Sequence, residues 1–245
     1  MIKKFLLLLL ACCYVLEVAA LTPAQQIYRS YVEKDRATWL QVIDSLEALP
    51  HKTQQDDWQL LNFEYGYIPW CLTKEVNDKK QAEVYLRKAY DNLEKVAAGG
   101  KIPSMVAAYR AAFVGYEIAL SPIKAPFIGS GAIKHAKEAL QLDSLNYFAH
   151  LQMGNIYHYV PAFLGGSVQK AIAHYQKAEV LMQQAQLFND NWLYMNLLLT
   201  LADAYKKQEK YDKVEAYYQR ALQLEPNYPY IVDELYPSLR KKMGK

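Results

Sequence analysis

Residues 201–226 read LADAYKKQEKYDKVEAYYQRALQLEP, and this stretch decides the fold. Small residues and aromatic rings recur in it at helical spacing on either side of a polar centre. The pattern is carried by Leu201, Ala202, Tyr205, Val214, Tyr218, Ala221 and Pro226. This spacing predicts two short antiparallel helices that pack through small side chains and rings. Because such a pair buries only one face, several pairs must stack into a helical solenoid.

The same order of residues recurs earlier in the chain, with longer loops in the middle of each copy. The copies are Met153-Gly154, Tyr157, Ala171, Tyr175 and Ala178; Val114-Gly115, Ile118, Ala132, Ala136 and Ala139; and a fainter Trp58, Leu61-Asn62, Tyr65, Ala82, Leu86 and Ala89. We therefore predict an all-α fold of stacked antiparallel helix hairpins. An irregular hairpin precedes the repeats, which lie near 55–98, 104–144, 147–185 and 192–228, and a capping helix follows at 229–243. No low-complexity linker divides the chain, so residues 21–245 are predicted to form a single domain.

Residues 1–20 have the organisation of a secretory signal peptide. A basic start at Lys3-Lys4 precedes an apolar run over 5–16, and Val18-Ala19-Ala20 offers small residues for cleavage. This predicts export to the periplasm or the extracellular space of a bacterium. An alternative is a lipoprotein anchored through Cys12, because Leu9-Leu10-Ala11-Cys12 resembles a lipobox. No later stretch has the length of apolar sequence that a transmembrane helix needs.

Composition restricts the classes of partner. The formal net charge is +3, which is too balanced to favour nucleic acid as a ligand. Beyond the predicted signal peptide Cys71 is the only cysteine, so no disulfide within the chain and no multi-cysteine metal site can form. The 21 tyrosines are typical of rings that fill the space between packed helices. No cofactor is expected.

Residues 56–228 resemble the tetratricopeptide repeat (TPR) family, with the last copy matching in both spacing and length. The resemblance implies a right-handed superhelical solenoid whose first helices line a concave face. It also implies a non-catalytic module that holds a peptide or protein segment on that face.

The concave stripe of the first helices is aromatic over the first three repeats. The predicted groove residues are Phe63, Tyr67, Tyr109, Tyr116, Phe148, Asn155, His158 and Tyr159. Aromatic walls with a few polar groups suit a peptide or a small apolar ligand. Two interpretations remain open, because a short and tightly wound array can also fill its own groove and leave these rings as core.

A second candidate surface lies at the loops within the hairpins. In the three lengthened copies a proline follows the small residue of the first helix by the same distance, at Pro69, Pro122 and Pro161. Each proline is expected to end or kink its helix. Equivalent loops of stacked repeats lie side by side, so one edge should carry the rings of Trp70, Phe127 and Phe163. These rings either cover the gaps beneath their own loops or form a docking edge.

No set of residues indicates catalysis or a metal site. His135 and His174 occupy equivalent places in successive second helices, and His150 and His158 lie about 12 Å apart along one helix. Motifs such as His-Glu-x-x-His and the phosphate-binding Gly-x-x-x-x-Gly-Lys do not occur. The chain is therefore predicted not to be an enzyme.

The preferred functional hypothesis is a non-catalytic protein-interaction scaffold of the bacterial cell envelope. An alternative is an accessory protein for solute uptake that binds a small apolar ligand and docks a transport or solute-binding protein. This alternative rests on a resemblance of Pro161, Leu164-Gly165-Gly166 and Lys170-Ala171 to loops of exported repeat proteins that assist uptake.

Overall fold

A computed structural model describes residues 20–100 and 102–244 of the chain. Within these residues the fold is entirely helical and contains no β-strand. The body of the predicted signal peptide, over residues 1–19, and the predicted lipid attachment at Cys12 lie outside the described residues. None of the described helices is both long enough and apolar enough to span a membrane.

The described helices follow one another in antiparallel pairs. They are α1 (Pro23–Glu33), α2 (Arg36–Glu47), α3 (Gln54–Cys71), α4 (Lys79–Ala98), α5 (Pro103–Leu120), α6 (Ala125–Leu142), α7 (Tyr147–Tyr159), α8 (Val168–Gln184), α9 (Trp192–Lys207), α10 (Tyr211–Leu224) and α11 (Tyr236–Met243). Short 3₁₀ turns over Pro122–Lys124 and Ala162–Leu164 join α5 to α6 and α7 to α8, and a π-helical turn over Tyr230–Leu235 leads into α11. The stacked hairpins confirm the predicted all-α solenoid.

Polar residues in the loops mark where the helices begin. Thr22 and Thr53 form capping boxes at the starts of α1 and α3. Asn146 and Asn191 each accept two backbone N–H groups in the first turns of α7 and α9. These side chains satisfy amide groups that have no partner inside the helix. Asn191 thus fixes the start of α9 at Trp192.

The prolines of the three lengthened repeats occupy two kinds of position relative to their helices. Helix α5 ends at Leu120 just before Pro122, and α7 ends at Tyr159 just before Pro161, as predicted. Pro69, in contrast, lies inside α3, which continues to Cys71. The loop of this first lengthened copy contains no 3₁₀ turn, and its aromatic residue, Trp70, lies inside α3.

The first hairpin packs against the last repeat as well as against its neighbour. Trp39 of α2 is fully buried, and its ring lies 5.3 Å from that of Trp192 at the start of α9. The hydroxyl of Tyr31 donates a hydrogen bond to Asn196 Oδ1 at 3.2 Å. At the rim, Lys34 Nζ lies 2.5 Å from Glu234 Oε1 on the π-helical turn. The two ends of the array are therefore in contact, although more than 150 residues of chain separate Tyr31 from Asn196.

Trp192 is the centre of this closure. Its indole Nε1 donates a hydrogen bond to Asn62 Oδ1 at 2.8 Å. The ring also covers Gly66 on α3, where an added Cβ would lie 2.7 Å from atoms of both Trp192 and Trp39. Since real Cβ contacts are essentially never this short, only glycine lets the two indoles approach α3.

One carboxyl group is buried in the core of the first repeat. Glu64 on α3 is fully buried, and Asn92 Nδ2 on α4 donates to its two carboxyl oxygens at 2.8 and 2.9 Å. Burial raises the pKa of Glu64 to about 8, against a smaller lowering by the hydrogen bond from Asn92. The carboxyl is therefore largely protonated at neutral pH, which spares the core the cost of a buried charge.

Gly66→Ala is expected to destabilise the protein by about 1–3 kcal/mol, because the new methyl overlaps two packed indole rings that cannot both move. Gly115→Ala is the matched control: it also lies inside a helix, and nothing lies within 4 Å of its added Cβ. That control should stabilise the fold by about 0.5–1 kcal/mol, through the better helix propensity of alanine. Urea unfolding of both variants measures the difference, and equal effects would contradict the role assigned to Trp192.

Glu64→Gln is expected to remove a dependence of stability on pH. Because the pKa of Glu64 is raised in the folded state, the folded protein holds a proton that the unfolded chain releases between about pH 4.5 and 8. The wild type should therefore lose stability as the pH rises through this window, by at most about 1.4 kcal/mol per pH unit. Urea unfolding at several pH values should show the variant gaining on the wild type towards pH 8, and parallel curves would contradict this assignment.

Candidate binding surfaces

Most of the predicted groove rings lie in the core. Phe63, Tyr67, Tyr109 and Phe148 are each at most 3% exposed. The rings of Tyr109 and Phe148 lie 4.4 Å apart, and Tyr65 packs against both. Of the two interpretations that the sequence left open, the structure therefore shows the filled groove over these residues.

Tyr116 belongs to the same cluster. Its ring stacks on Tyr65 with centroids 5.4 Å apart, and its hydroxyl donates to the Tyr65 carbonyl at 3.1 Å. Burial is the main cause that raises the pKa of the Tyr116 hydroxyl well above its ordinary value. The Tyr116 side chain is partly buried and packs against the core.

The remaining groove residues form a polar cluster near the end of α7. Asn155 accepts a hydrogen bond from the Tyr175 hydroxyl at 2.9 Å. The His158 ring is buried, and its Nε2 lies 2.6 Å from Lys207 Nζ and 3.2 Å from Asp203 Oδ2. The hydrogen bond with His158 is the main cause of a lowered pKa of Asp203. Asn155 and His158 thus take part in contacts between helices.

Tyr159 is the predicted groove residue that stays accessible. Its side chain is 73% exposed, beside the buried His158 ring at a centroid distance of 4.7 Å. Lys207 Nζ lies 5.6 Å from the Tyr159 ring centroid. Tyr159 is the last residue of α7, and the loop that carries Phe163 follows it directly.

The predicted docking edge divides into one covered ring and two exposed rings. Trp70 of α3 is half-buried, and its ring meets that of Trp39 of α2 edge-on at a centroid distance of 5.6 Å. Trp70 therefore packs between α3 and α2. Phe127 and Phe163 are 81% and 86% exposed. Sequence reasoning missed two exposed neighbours, Ile123 and Leu164. Ile123 directly follows Pro122 and Leu164 directly follows Phe163 in lengthened loops, and these positions were the signal that could have identified them.

We define the loop ridge as Ile123, Phe127, Phe163 and Leu164. The backbone at Gly165 and Gly166 sets the conformation of the loop that carries Phe163 and Leu164. Gly165 has φ 97°, and a Cβ at Gly166 would collide with the carbonyl of Val160. The Ser167 amide then donates to the Tyr157 carbonyl at 2.8 Å. The loop therefore holds its apolar side chains outward with a backbone that only glycine permits.

The histidines are arranged differently from the sequence expectation. His150 of α7 and His174 of α8 lie with their Nδ1 atoms 3.0 Å apart. The sequence prediction considered the spacing of histidines along one helix and between successive repeats. It missed this pair because the contact joins the two helices of one hairpin. His135 lies 3.4 Å from Glu138 instead. Among the described residues, no group of three or more His, Cys, Asp or Glu side chains could hold a metal ion.

The family profile of the tetratricopeptide repeat matches residues 196–228. This segment is a tetratricopeptide repeat. It spans most of α9, all of α10 and the turn that follows, and so confirms the predicted family in the copy with the clearest spacing. Proteins with this repeat generally act as non-catalytic scaffolds for protein interactions.

Two solved structures are similar to the chain. The HusA haemophore from Porphyromonas gingivalis superposes with a TM-score of 0.57 at 15% identity, over 76% of this chain and 94% of that one. A chain of the APC/C hetero-tetramer Cut9-Hcn1 gives a TM-score of 0.43 at 14% identity, over 89% of this chain and 41% of that one. The first likeness supports the fold alone, and the second is too weak to add to it. No curated protein sequence matches the chain significantly.

Phe148→Ala is expected to lower the free energy of unfolding by about 3–5 kcal/mol, because it leaves a cavity in the aromatic cluster. Tyr159→Ala removes an exposed ring and should change it by less than about 0.5 kcal/mol. Thermal and urea unfolding of the two variants compares a buried with an exposed member of the predicted groove. Equal stability of the two variants would mean that the groove is open in solution.

Proposed function

We propose that the protein is a non-catalytic interaction scaffold that docks a partner protein on the loop ridge and the adjoining Tyr159. The observation that carries this proposal is the exposure of large apolar side chains on two stacked hairpins. Contiguous exposed apolar residues on a folded protein usually mark an interaction site. Aromatic side chains are also the most frequent anchors of protein interfaces.

The ridge lies at one edge of the stack. Ile123 comes from the turn between α5 and α6, Phe127 from the first turn of α6, and Phe163 and Leu164 from the loop between α7 and α8. Each of these connections joins the two helices of one hairpin. Since the two hairpins are neighbours, their inner loops lie at the same end. This arrangement supports the predicted docking edge for Phe127 and Phe163, while Trp70 is engaged inside the protein.

Charge at the same edge indicates the chemistry of the partner. Lys124 stands between Ile123 and Phe127 with a half-exposed side chain. Lys206 and Lys207 are exposed at the end of α9, which closes at the same edge. An apolar centre flanked by lysines suits a protein surface with an apolar pocket and an acidic rim.

We also propose a role for the exposed part of the predicted groove, which is narrower than the role that the sequence suggested. A peptide or protein segment bound at the ridge can extend along Tyr159 towards Lys207, where the concave face is polar and accessible. In this arrangement the chain needs no catalytic group, which is consistent with the scaffold role of its tetratricopeptide repeat.

A second candidate is a small apolar ligand, as in the predicted accessory protein for solute uptake. The observation in its favour is the similarity of the fold to a protein named as a haemophore. The exposed faces of Phe127 and Phe163 can cover one side of a flat apolar molecule, and Lys124 can pair with its acidic groups. Titration of haem, followed by its absorption, tests this candidate with the variants described next.

The double variant Phe127→Ser/Phe163→Ser is expected to weaken partner binding by about 30-fold or more, since loss of an aromatic anchor typically costs about 2 kcal/mol. Leu145→Ser is the control, because Leu145 is equally apolar and 63% exposed but lies in the loop between hairpins, at the opposite edge. A photo-crosslinking residue at position 163, with a second at position 145, identifies the partner in an extract of the source organism.

Calorimetry with the purified partner then compares the two variants with the wild type. Both should unfold at the wild-type temperature, because none of the changed side chains is buried. Undiminished binding by the double variant, or equal losses in the double variant and in Leu145→Ser, would contradict docking on the ridge.

A further inference from the structure

The imidazole rings of His150 on α7 and His174 on α8 contact each other across one hairpin. His150 Nδ1 and His174 Nδ1 are 3.0 Å apart, and the ring centroids are 5.3 Å apart. His150 Nε2 lies 3.1 Å from the carbonyl oxygen of Ser144. On its other side the His174 ring stacks on Tyr157 at 5.6 Å. Both histidines are half-buried and remain partly open to solvent.

These contacts define the protonation of the pair. A carbonyl oxygen only accepts, so Nε2 of His150 carries the hydrogen and its Nδ1 presents a lone pair. His174 Nδ1–H therefore donates to His150 Nδ1. Burial is the main cause that lowers the pKa of each histidine, and His150 also lowers the pKa of His174. Both rings are thus neutral at neutral pH, the state in which imidazole binds a metal ion.

We propose that His150 and His174 together bind one divalent transition-metal ion through their Nδ1 atoms. Two nitrogens that each lie about 2.1 Å from one ion, at a right angle to each other, are about 3.0 Å apart. The separation in the hairpin is the same. To bind, His174 moves its proton from Nδ1 to Nε2, so neither ring changes its charge. The His174 ring also turns about its broad χ2 torsion until its lone pair meets that of His150 at the ion, while the Ser144 carbonyl keeps the His150 ring in place.

The Ser144 carbonyl acts as the outer partner of this site. It holds the Nε2–H of His150 and so fixes the tautomer that leaves Nδ1 available. Metal-binding histidines usually have such a partner on the second nitrogen, and it raises the basicity of the ligand. Two charged side chains also act on His150, and they oppose each other: the Asp143 carboxylate favours a positive charge there and the Lys177 ammonium disfavours it.

Geometry indicates which ions fit. A right angle between two nitrogen ligands suits the tetragonal or octahedral sites of Cu²⁺ and Ni²⁺. A tetrahedral Zn²⁺ site would need nitrogens about 3.4 Å apart, and so a wider hairpin. Because the described residues offer no cluster of three such ligands, water completes the coordination and the ion exchanges readily. The site lies near the start of α7, at the opposite end of that helix from Tyr159 and the loop ridge.

The test uses the untagged full chain with Ni²⁺ in calorimetry and Cu²⁺ in electron paramagnetic resonance. Wild type should bind one ion of each kind, and the Cu²⁺ spectrum should show hyperfine coupling to two nitrogens. His150→Gln and His174→Gln should each weaken binding at least tenfold and remove one nitrogen from the spectrum. His135→Gln is the control, since His135 holds the equivalent place in α6 but faces Glu138 instead of a second histidine.

Circular dichroism and the thermal midpoint of each variant establish that the hairpin still folds. Binding that depends on both His150 and His174, and not on His135, supports the site. Wild-type affinity in either hairpin variant, an equal loss in His135→Gln, or a Cu²⁺ spectrum with a single nitrogen would overturn it.

Discussion

The insertion of Trp192 between α2 and α3 is the contact on which the rest of the structure depends. Repeat arrays usually contact only their neighbours, so their stability is close to a sum over adjacent pairs. Here the indole at the start of α9 bonds to Asn62 of α3 and packs on Trp39 of α2. The array is therefore closed on itself, and its two ends support each other. Because Gly66 provides the space for both indoles, one missing Cβ permits the closure.

Closure changes which surfaces are available for binding. An open helical-repeat array offers one face of its first helices to a ligand, but in this chain Trp192 and the rings of the first hairpin pack between α2, α3 and α9. The tyrosine hydroxyls inside it are bonded across helices, as in the pairs Tyr31–Asn196, Tyr109–Asn62 and Tyr175–Asn155. Bonded rings of this kind contribute specificity to packing and are not free to receive a partner. The proposed docking site is therefore at the edge, where Phe127 and Phe163 are exposed.

The hairpins were predictable from the sequence because their signals are local. Small residues recur at a regular spacing within each copy, as at Gly154, which lies opposite Tyr175, and caps such as Asn191 mark where helices begin. The filling of the groove was not predictable in the same way. It depends on a contact between α1–α2 and α9, which no repeat period encodes. The pair of His150 and His174 was missed for a related reason, since it forms across a hairpin and not along one helix face.

Exposure, more than residue type, separates structural rings from binding rings in this protein. The abundant tyrosines serve mainly to join helices, and burial raises the pKa of several hydroxyls, with Tyr85, Tyr217 and Tyr218 at about 12. Phenylalanine has no hydroxyl that could be satisfied inside the protein. An exposed phenylalanine held outward by Gly165 and Gly166 therefore gains nothing for the fold, and for this reason we propose the loop ridge as the docking site.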